Sequence, residues 1–159
     1  MTRIDRLARQ GMTAVLALAA AAAAAPAQAV PPPVSHVPAY APDGTRRPFS
    51  QSVRAGDMVY LSGQLGTRPD GTLPEGIEAQ SRQMMENIAV ALRAAGLGFE
   101  HVVHCLVMLD DMADWEAFNR VYVPYFPAGQ LPARSAMGVE ALALGARVEM
   151  ECQANAAWR

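Results

Sequence analysis

Lysine is absent from this sequence. Schiff-base catalysis and covalent attachment of pyridoxal phosphate both need a lysine amine, so the sequence excludes both kinds of chemistry. Histidine and cysteine are scarce, with three and two residues among 159. There is no Cys-x-x-Cys pair, no His-Glu-x-x-His motif and no Gly-x-Ser-x-Gly turn. We therefore expect no metal site, no cofactor and no serine-hydrolase chemistry.

Positive charge is also in short supply. Acidic residues outnumber basic ones by 15 to 13, which gives a net charge of -2. The first 29 residues hold three of the arginines and one aspartate, so the rest of the chain is more acidic still. Such a chain lacks the basic surface that binds phosphate backbones, and we expect no nucleic-acid partner.

Residues 1–29 have the pattern of a secretory signal peptide. Three arginines precede an apolar run over 12–25, which is followed by Pro26-Ala27-Gln28-Ala29. A membrane anchor is the alternative, but the run is shorter than the roughly twenty residues that span a bilayer. We expect cleavage after Ala29, export to the periplasm or the medium, and no membrane attachment afterwards.

The remainder is long enough for one domain. Residues 30–46 are rich in proline and lack an apolar period, which predicts an extended linker outside the core. The domain itself is predicted over 47–155. Its predicted strands cover 49–53, 58–62, 102–109, 133–140 and 147–155, and its predicted helices cover 75–95 and 112–126. The order β-β-α-β-α-β-β predicts a single α+β sandwich with both helices on one face of the sheet.

Three local signals support these assignments. Gly56 permits the positive φ of a tight hairpin between the first two strands, and Gly96 follows the first helix at a left-handed cap position. The Asp110-Asp111 pair offers capping oxygens to the second helix, whose Trp115, Phe118 and Tyr122 share one face.

Cys105 and Cys152 lie inside predicted strands, so we favour two buried thiols over a disulfide.

The strongest chemical signal is an arginine paired with a strand-borne glutamate. Arg134 presents a planar fork of donors that matches a carboxylate, and Glu149 can orient or activate a water. On the last strand Arg147, Glu149 and Glu151 are predicted to share a side. That side is either a solvated face or a subunit interface with a polar cleft. A purely structural ion pair between Arg134 and Glu149 or Glu151 is the alternative role.

Seven segments of the chain form a recognisable pattern when they are read in order. They are Phe49-Ser50-Gln51, Leu61-Ser62-Gly63-Gln64, Gln80 to Ile88, Leu92 to Gly96, Phe118-Asn119-Arg120-Val121-Tyr122, Pro132-Ala133-Arg134-Ser135 and Val148-Glu149-Met150-Glu151. Together, over 47–154, these segments resemble the Rid family of reactive-intermediate (enamine/imine) deaminases, also called the endoribonuclease L-PSP family.

This resemblance implies a chorismate-mutase-like sandwich that forms a homotrimeric barrel with three clefts between subunits. In the cleft, Arg134 would bind a substrate carboxylate and Glu149 would position water. Ser62 and Asn119 would shape the cleft, and main-chain groups at Gly63 and Ala136 would add hydrogen bonds. Phe49 stands where many members carry tyrosine, so its ring would pack there without the hydroxyl.

The implied reaction is hydrolysis of small 2-imino or enamino acids to 2-keto acids and ammonia, without a cofactor. The contrasting hypothesis is a non-catalytic trimer that binds small carboxylates or protects partner proteins through the same cleft. Endoribonuclease activity is a third option, which the acidic balance and the predicted export disfavour.

Overall fold

The computed structural model describes residues 33–157. The predicted signal peptide, residues 1–29, lies outside this range. The strands are β1 (Val34–Tyr40), β2 (Arg46–Ala55), β3 (Met58–Leu61), β4 (Gln64–Leu65), β5 (Val102–Leu109), β6 (Ala133–Gly138) and β7 (Val148–Asn155). The α-helices are α1 (Ile77–Ala94) and α2 (Trp115–Tyr122).

The strands form one mixed sheet in the order β1-β2-β3-β7-β5-β6, with the short β4 also pairing to β7. Most neighbours are antiparallel, and β5 and β6 are parallel. Side chains of alternate strand residues pack against α1 and α2, forming a core that includes Val107, Met150, Met84, Ile88 and Phe118. The structure therefore confirms the predicted α+β sandwich, with two helices covering one face of the sheet.

The first helix ends as the sequence predicts. Gly96 has a φ of 75°, and its N–H donates to the carbonyl of Arg93 at 3.0 Å. The N–H of Leu97 donates to the carbonyl of Leu92 at 2.9 Å. These two bonds form a Schellman motif, which satisfies carbonyls that the helix itself leaves free.

The first two predicted strands do form a hairpin. Ala55 pairs with Met58, and Gly56 in the turn has a φ of 61°. The predicted strand over 102–109 also matches β5 at both ends. One face of this strand is fully buried against the helices, because Cys105, Val107 and Leu109 alternate with half-buried neighbours.

The predicted linker over 30–46 is wrong for much of its length. Residues Val34–Tyr40 form the edge strand β1, which pairs antiparallel with β2. The ladder is irregular on both sides of Pro38, where the register shifts. An edge position and a bulge are the places where a sheet tolerates proline, because no ladder hydrogen bond is lost there.

The two cysteines form a disulfide, so the prediction of free thiols is wrong. Cys105 of β5 and Cys152 of β7 are direct cross-strand partners, and their Cα atoms are 4.2 Å apart. Both side chains are buried beneath the helices. The bond joins two central strands of the sheet across a separation of 47 residues.

The second helix is shorter than predicted, since 3₁₀ turns over Met112–Asp114 and Val123–Tyr125 flank α2. The Asp111 carboxylate accepts from the N–H of Ala113 at 2.8 Å, as a capping residue should. No helix within 33–157 is long and apolar enough to cross a membrane.

Candidate functional site

Arg134 lies on the helix side of the sheet. It is the register partner of Cys105 in the parallel pairing of β6 with β5, and parallel partners point to the same face. Its guanidinium carbon is 4.5 Å from the centroid of the Trp115 ring and 4.6 Å from that of Tyr122. Phe118 lies slightly farther away, at 5.7 Å. The aromatic face of α2 therefore supports the cation by cation–π contact.

One hydrogen bond orients the fork of this arginine. Its Nη1 donates to Oδ1 of Asn119 at 2.8 Å. No carboxylate within 33–157 forms a salt bridge with Arg134, so the alternative of an ion pair with Glu149 or Glu151 is not found in the single chain. A guanidinium has five N–H donors, and several are left for a ligand.

Arg134 also borders an open pocket of about 200 Å³. Its other lining residues are Tyr122, Val123, Leu131 and Pro132. Ala136 follows two residues along β6 on the same face as Arg134, beside Val107 in the register. The structure thus brings Asn119, Arg134 and Ala136 to one side of the sheet, next to a cavity.

Glu149 belongs to a second group on the opposite face. Strand alternation places it away from the buried Val148 and Met150, beside Leu65 of β4. Its carboxylate packs directly over the backbone of Gly63, where any side chain would collide with it. The Oγ of Ser62, the residue that precedes Gly63, donates a hydrogen bond to the carbonyl of Ser50 at 2.7 Å.

The environment of Glu149 changes its acidity. Burial raises the pKa of this carboxyl above its usual value, and the negative charge of Glu151 raises it further. A carboxyl with a raised pKa can exchange protons closer to neutral pH than an ordinary glutamate. Burial and Glu151 together thus favour the protonated form of this carboxyl.

Phe49 lies on β2 beyond an irregularity in the strand. The register with β1 shifts opposite Ser50 to Ser52, so the alternation of side chains changes there and Phe49 does not share the face of Val53. Its ring is 47% exposed. Gly63 and Glu149 are together on the open face, and Ser62 precedes Gly63 in the chain, whereas the structure of the single chain does not bring Phe49 to this group.

Two groups of predicted site residues therefore lie on opposite sides of one sheet. Arg134 and Asn119 are on the helix side, whereas Glu149 is on the open side. Within a single chain the sheet separates the arginine from the glutamate. Arg147, predicted to share a side with Glu149, lies just before β7, and its guanidinium bonds to Asp114 at 2.7 Å.

The sequence pattern placed Trp115 and Tyr122 on one face of the second helix but did not assign them to the site. Tyr122 is indeed buried, but both rings also support the guanidinium of Arg134. Their spacing around Asn119 is the signal that could have indicated this role. Trp115 lies four residues before Asn119 and Tyr122 three residues after it, so the three side chains share one side of the helix.

The fold and this site define an α+β protein with an arginine that forms no salt bridge within 33–157 and lies beside an open pocket. A sequence model described as Endoribonuclease L-PSP matches residues 40–156. Reactive Intermediate Deaminase A of Arabidopsis thaliana is 41% identical over 110 residues, 68% of this chain and 58% of that protein. The 2-iminobutanoate/2-iminopropanoate deaminase of Mus musculus is 42% identical over 106 residues, 65% of this chain and 78% of that protein.

The chain belongs to the Rid family, also described as endoribonuclease L-PSP. It spans little more than half the length of the Arabidopsis relative. RidA from the Antarctic bacterium Psychrobacter has a similar structure, with a TM-score of 0.66 and 40% identity over 69% of this chain and 89% of that one. A Rid protein from Yersinia pestis gives a TM-score of 0.71 and 34% identity over 77% of this chain and 99% of that one.

Proposed function

We propose that this protein hydrolyses small 2-imino acids to 2-keto acids and ammonia, in a cleft formed between copies of the chain. The main observation that supports the proposal is the environment of the Arg134 guanidinium. Its guanidinium is supported by rings and by Asn119, and it borders a pocket without a carboxylate partner within 33–157. Relatives named 2-iminobutanoate/2-iminopropanoate deaminase support the choice of substrate.

The carboxylate of the substrate would bind the fork of Arg134 through two parallel hydrogen bonds, the geometry for which arginine is suited. This contact fixes the position of the neighbouring imine carbon. Because a protonated imine is already electrophilic, the reaction needs neither a metal nor a covalent nucleophile. Positioning and proton transfer are the contributions that the protein has to make.

Glu149 would handle the water. It removes a proton as the water oxygen bonds to the imine carbon, and the proton is later delivered to the nitrogen. The C–N bond then breaks as the carbinol oxygen loses its proton, releasing ammonia and the 2-keto acid. One water is consumed per imine, with no oxidant or reductant.

The placement of the two groups on opposite faces is the reason for proposing a shared cleft. Arg134 cannot meet Glu149 of its own chain through the sheet, so Glu149 of the partner subunit would complete the site. A closed homotrimer, as the family resemblance implies, would give three such clefts and cover the open face of the sheet.

We also propose that the protein works outside the cytoplasm. The signal-like pattern over 1–29 and the Cys105–Cys152 disulfide are independent observations that support export. Disulfides persist in oxidising compartments and are rare in the cytosol.

A direct assay tests the reaction. An amino-acid oxidase generates 2-iminopropanoate from alanine, and the loss of imine is followed with and without the protein. We expect wild type to accelerate the loss, and Arg134→Ala to reduce kcat/KM by about a hundredfold or more because it removes a charge-assisted contact.

The matched control is Arg120→Ala, which removes a surface arginine paired with Glu78 and should leave the rate unchanged. No acceleration by wild type, combined with binding of a keto acid that requires Arg134, would instead identify a non-catalytic binding protein.

A mixing experiment tests the shared cleft. Arg134→Ala and Glu149→Gln chains are each prepared inactive, then unfolded, mixed in equal amounts and refolded. If every cleft takes the two residues from different chains, random mixing restores about a quarter of wild-type activity. If both residues act within one chain, the mixture stays inactive, and that result would overturn the shared cleft. Refolded wild type provides the reference for losses in the procedure.

A further inference from the structure

Residues 62–67 form a short segment that lies against Glu149. The backbone of Gly63 packs on the Glu149 carboxylate, and Leu65 is the direct partner of Glu149 in the pairing of β4 with β7. The strand β4 is only two residues long, so its ladder with β7 supplies few hydrogen bonds. The position of the 62–67 segment therefore depends on contacts from other elements.

These contacts come from two directions. Ser62 joins one end of the segment to β2 through its N–H and its Oγ. Asn87 of α1 joins the other end to the helix layer, because its Nδ2 donates to the carbonyls of Leu65 and Thr67 at 2.9 and 2.8 Å. The Oδ1 of Asn87 accepts from Nε2 of Gln83, one turn earlier, at 3.0 Å. An asparagine amide has two N–H donors, so one side chain can serve both carbonyls.

Gly66 allows the segment to come this close to the helix. Its α-carbon lies against the backbone of Gln80 on α1, where a β-carbon would collide with the carbonyl oxygen. A glycine in such a place marks a close approach of two backbones. The segment thus rests directly on α1, with the two carbonyls that Asn87 serves on either side of Gly66.

We propose that Asn87 is a positioning residue for Glu149. By holding the 62–67 segment on α1, it keeps the Gly63 backbone against the carboxylate and limits the access of water to that side. The action is indirect, because Asn87 bonds to the segment and not to Glu149. The effect on turnover rests on the proposed function, whereas the effect on the carboxyl does not.

The charged groups around Glu149 are few, so its acidity reports the position of the segment. Burial is the main cause of its raised pKa, and Glu151 on β7 is the second. The segment itself contains no titratable side chain, and β6 presents none on this face. His104 of β5 and Tyr60 of β3 lie farther along the open face. In the proposed cleft, Arg134 of another copy adds a positive charge that is common to all variants.

The pH dependence of imine hydrolysis tests the inference. In Asn87→Ala both carbonyls lose their donor and the segment is released, so water reaches Glu149 and relieves its burial. The pKa of Glu149 then falls toward its usual value, and the acid limb of kcat/KM moves to lower pH. We expect kcat to drop about tenfold at an unchanged KM, because Arg134 still holds the substrate carboxylate.

Gly66→Ala acts by a different route and answers the question if Asn87→Ala does not fold. The added methyl group pushes the segment away from Gln80, so the acid limb should move in the same direction. A loss of folded protein lowers the apparent kcat but cannot move this limb. An acid limb that stays in place in either folded variant would overturn the inference.

The matched control is Ile88→Val. Ile88 follows Asn87 on α1 and is fully buried in the core. Loss of one buried methylene should destabilise the protein to urea about as much as the loss of a hydrogen bond. We expect this variant to keep the pH profile of wild type, which separates the position of the segment from general stability.

Titration of the carboxyl itself separates this inference from the proposed reaction. NMR follows ¹³C-labelled glutamate carboxyls against pH, and the signal missing from Glu149→Gln identifies Glu149. A lower midpoint in Asn87→Ala, without acceleration of imine loss by wild type, would reject the reaction and keep the positioning role. Imine hydrolysis by wild type with an unchanged midpoint in Asn87→Ala would reject the positioning role and keep the reaction.

Discussion

At the scale of single residues, the acidity of Glu149 is the property closest to the chemistry. Burial and the neighbouring Glu151 both raise its pKa. In the proposed reaction Glu149 must be ionised to accept a proton, so activity should fall as the pH drops through this raised pKa. The acid limb of the pH profile would then report the environment of Glu149.

We predict that Glu151→Gln shifts this acid limb to lower pH. The substitution removes a negative charge that disfavours ionisation of Glu149, so its pKa falls and the ionised form persists in more acidic solution. The measurement is kcat/KM against pH. Glu116→Gln, which neutralises an exposed carboxylate on α2, is the control and should leave the profile in place. A shift toward higher pH in Glu151→Gln would contradict the assigned role.

Tyr122 carries a second residue-scale signal. Its hydroxyl is buried without a hydrogen-bond partner within 33–157, and burial raises its pKa to about 12. A buried hydroxyl without a partner costs about 1–3 kcal/mol. Its ring packs in the core and against Arg134.

We predict that Tyr122→Phe keeps or raises the free energy of unfolding in urea, because the ring remains and the orphan hydroxyl is removed. Tyr125→Phe is the matched control. The hydroxyl of Tyr125 donates to Glu86 at 2.9 Å, so its removal should lower stability slightly, by at most about 1 kcal/mol for an exposed bond. A larger loss in Tyr122→Phe than in Tyr125→Phe would mean that the Tyr122 hydroxyl is in fact satisfied.

At the scale of secondary-structure elements, the disulfide ties β5 to β7. These strands form the middle of the sheet, and Arg134 lies beside Cys105 on the next strand.

We predict that Cys105→Ala/Cys152→Ala lowers the free energy of unfolding by about 4 kcal/mol, the loop-closure value for a separation of this length. Urea unfolding with and without reductant measures it, and the double variant should be insensitive to reductant. Two thiols titrating in unfolded, unreduced wild type would refute the disulfide.

The elements also show where sequence patterns are sufficient. The limits of β5 follow from a run of apolar residues of strand length, and the end of α1 follows from Gly96; both are local signals. The strand β1 was missed because proline argues against a strand in general, whereas an edge position with a bulge accepts it. The disulfide was missed because it depends on the register between two strands distant in the chain, which no local pattern specifies.

The site divides in the same way. Motif segments identified Arg134, Asn119 and Glu149 by residue type, and the structure gives each a defined environment. Their distribution over two faces could not be predicted, because it depends on β6 lying parallel to β5 and on the antiparallel partner β7. A strand order of this kind is set by the packing of the whole sheet.

At the scale of the whole molecule, the open face of the sheet calls for a partner in the proposed assembly. Leu106 lies on this face, opposite Glu151 in the register. We predict that Leu106→Glu weakens assembly, because it adds a second carboxylate directly across from Glu151 in the region to be covered. Light scattering after gel filtration should give the mass of three chains for wild type and a smaller mass for the variant.

The matching control for assembly is Val90→Glu. Val90 is 50% exposed on α1, on the outer side of the helical layer. This variant should keep the wild-type mass, and circular dichroism should report native secondary structure for both. A wild-type chain that elutes as a monomer at every concentration would contradict the shared cleft.

Because the sheet itself separates the guanidinium from the carboxylate, the proposed shared cleft makes activity depend on protein concentration. In that proposal an isolated chain would hold two incomplete halves, and each would become competent only when another chain docks. Turnover per chain should then decline as the protein is diluted below its association threshold and recover on concentration. In a dilute compartment outside the cell, the number of exported copies would act as a threshold for activity.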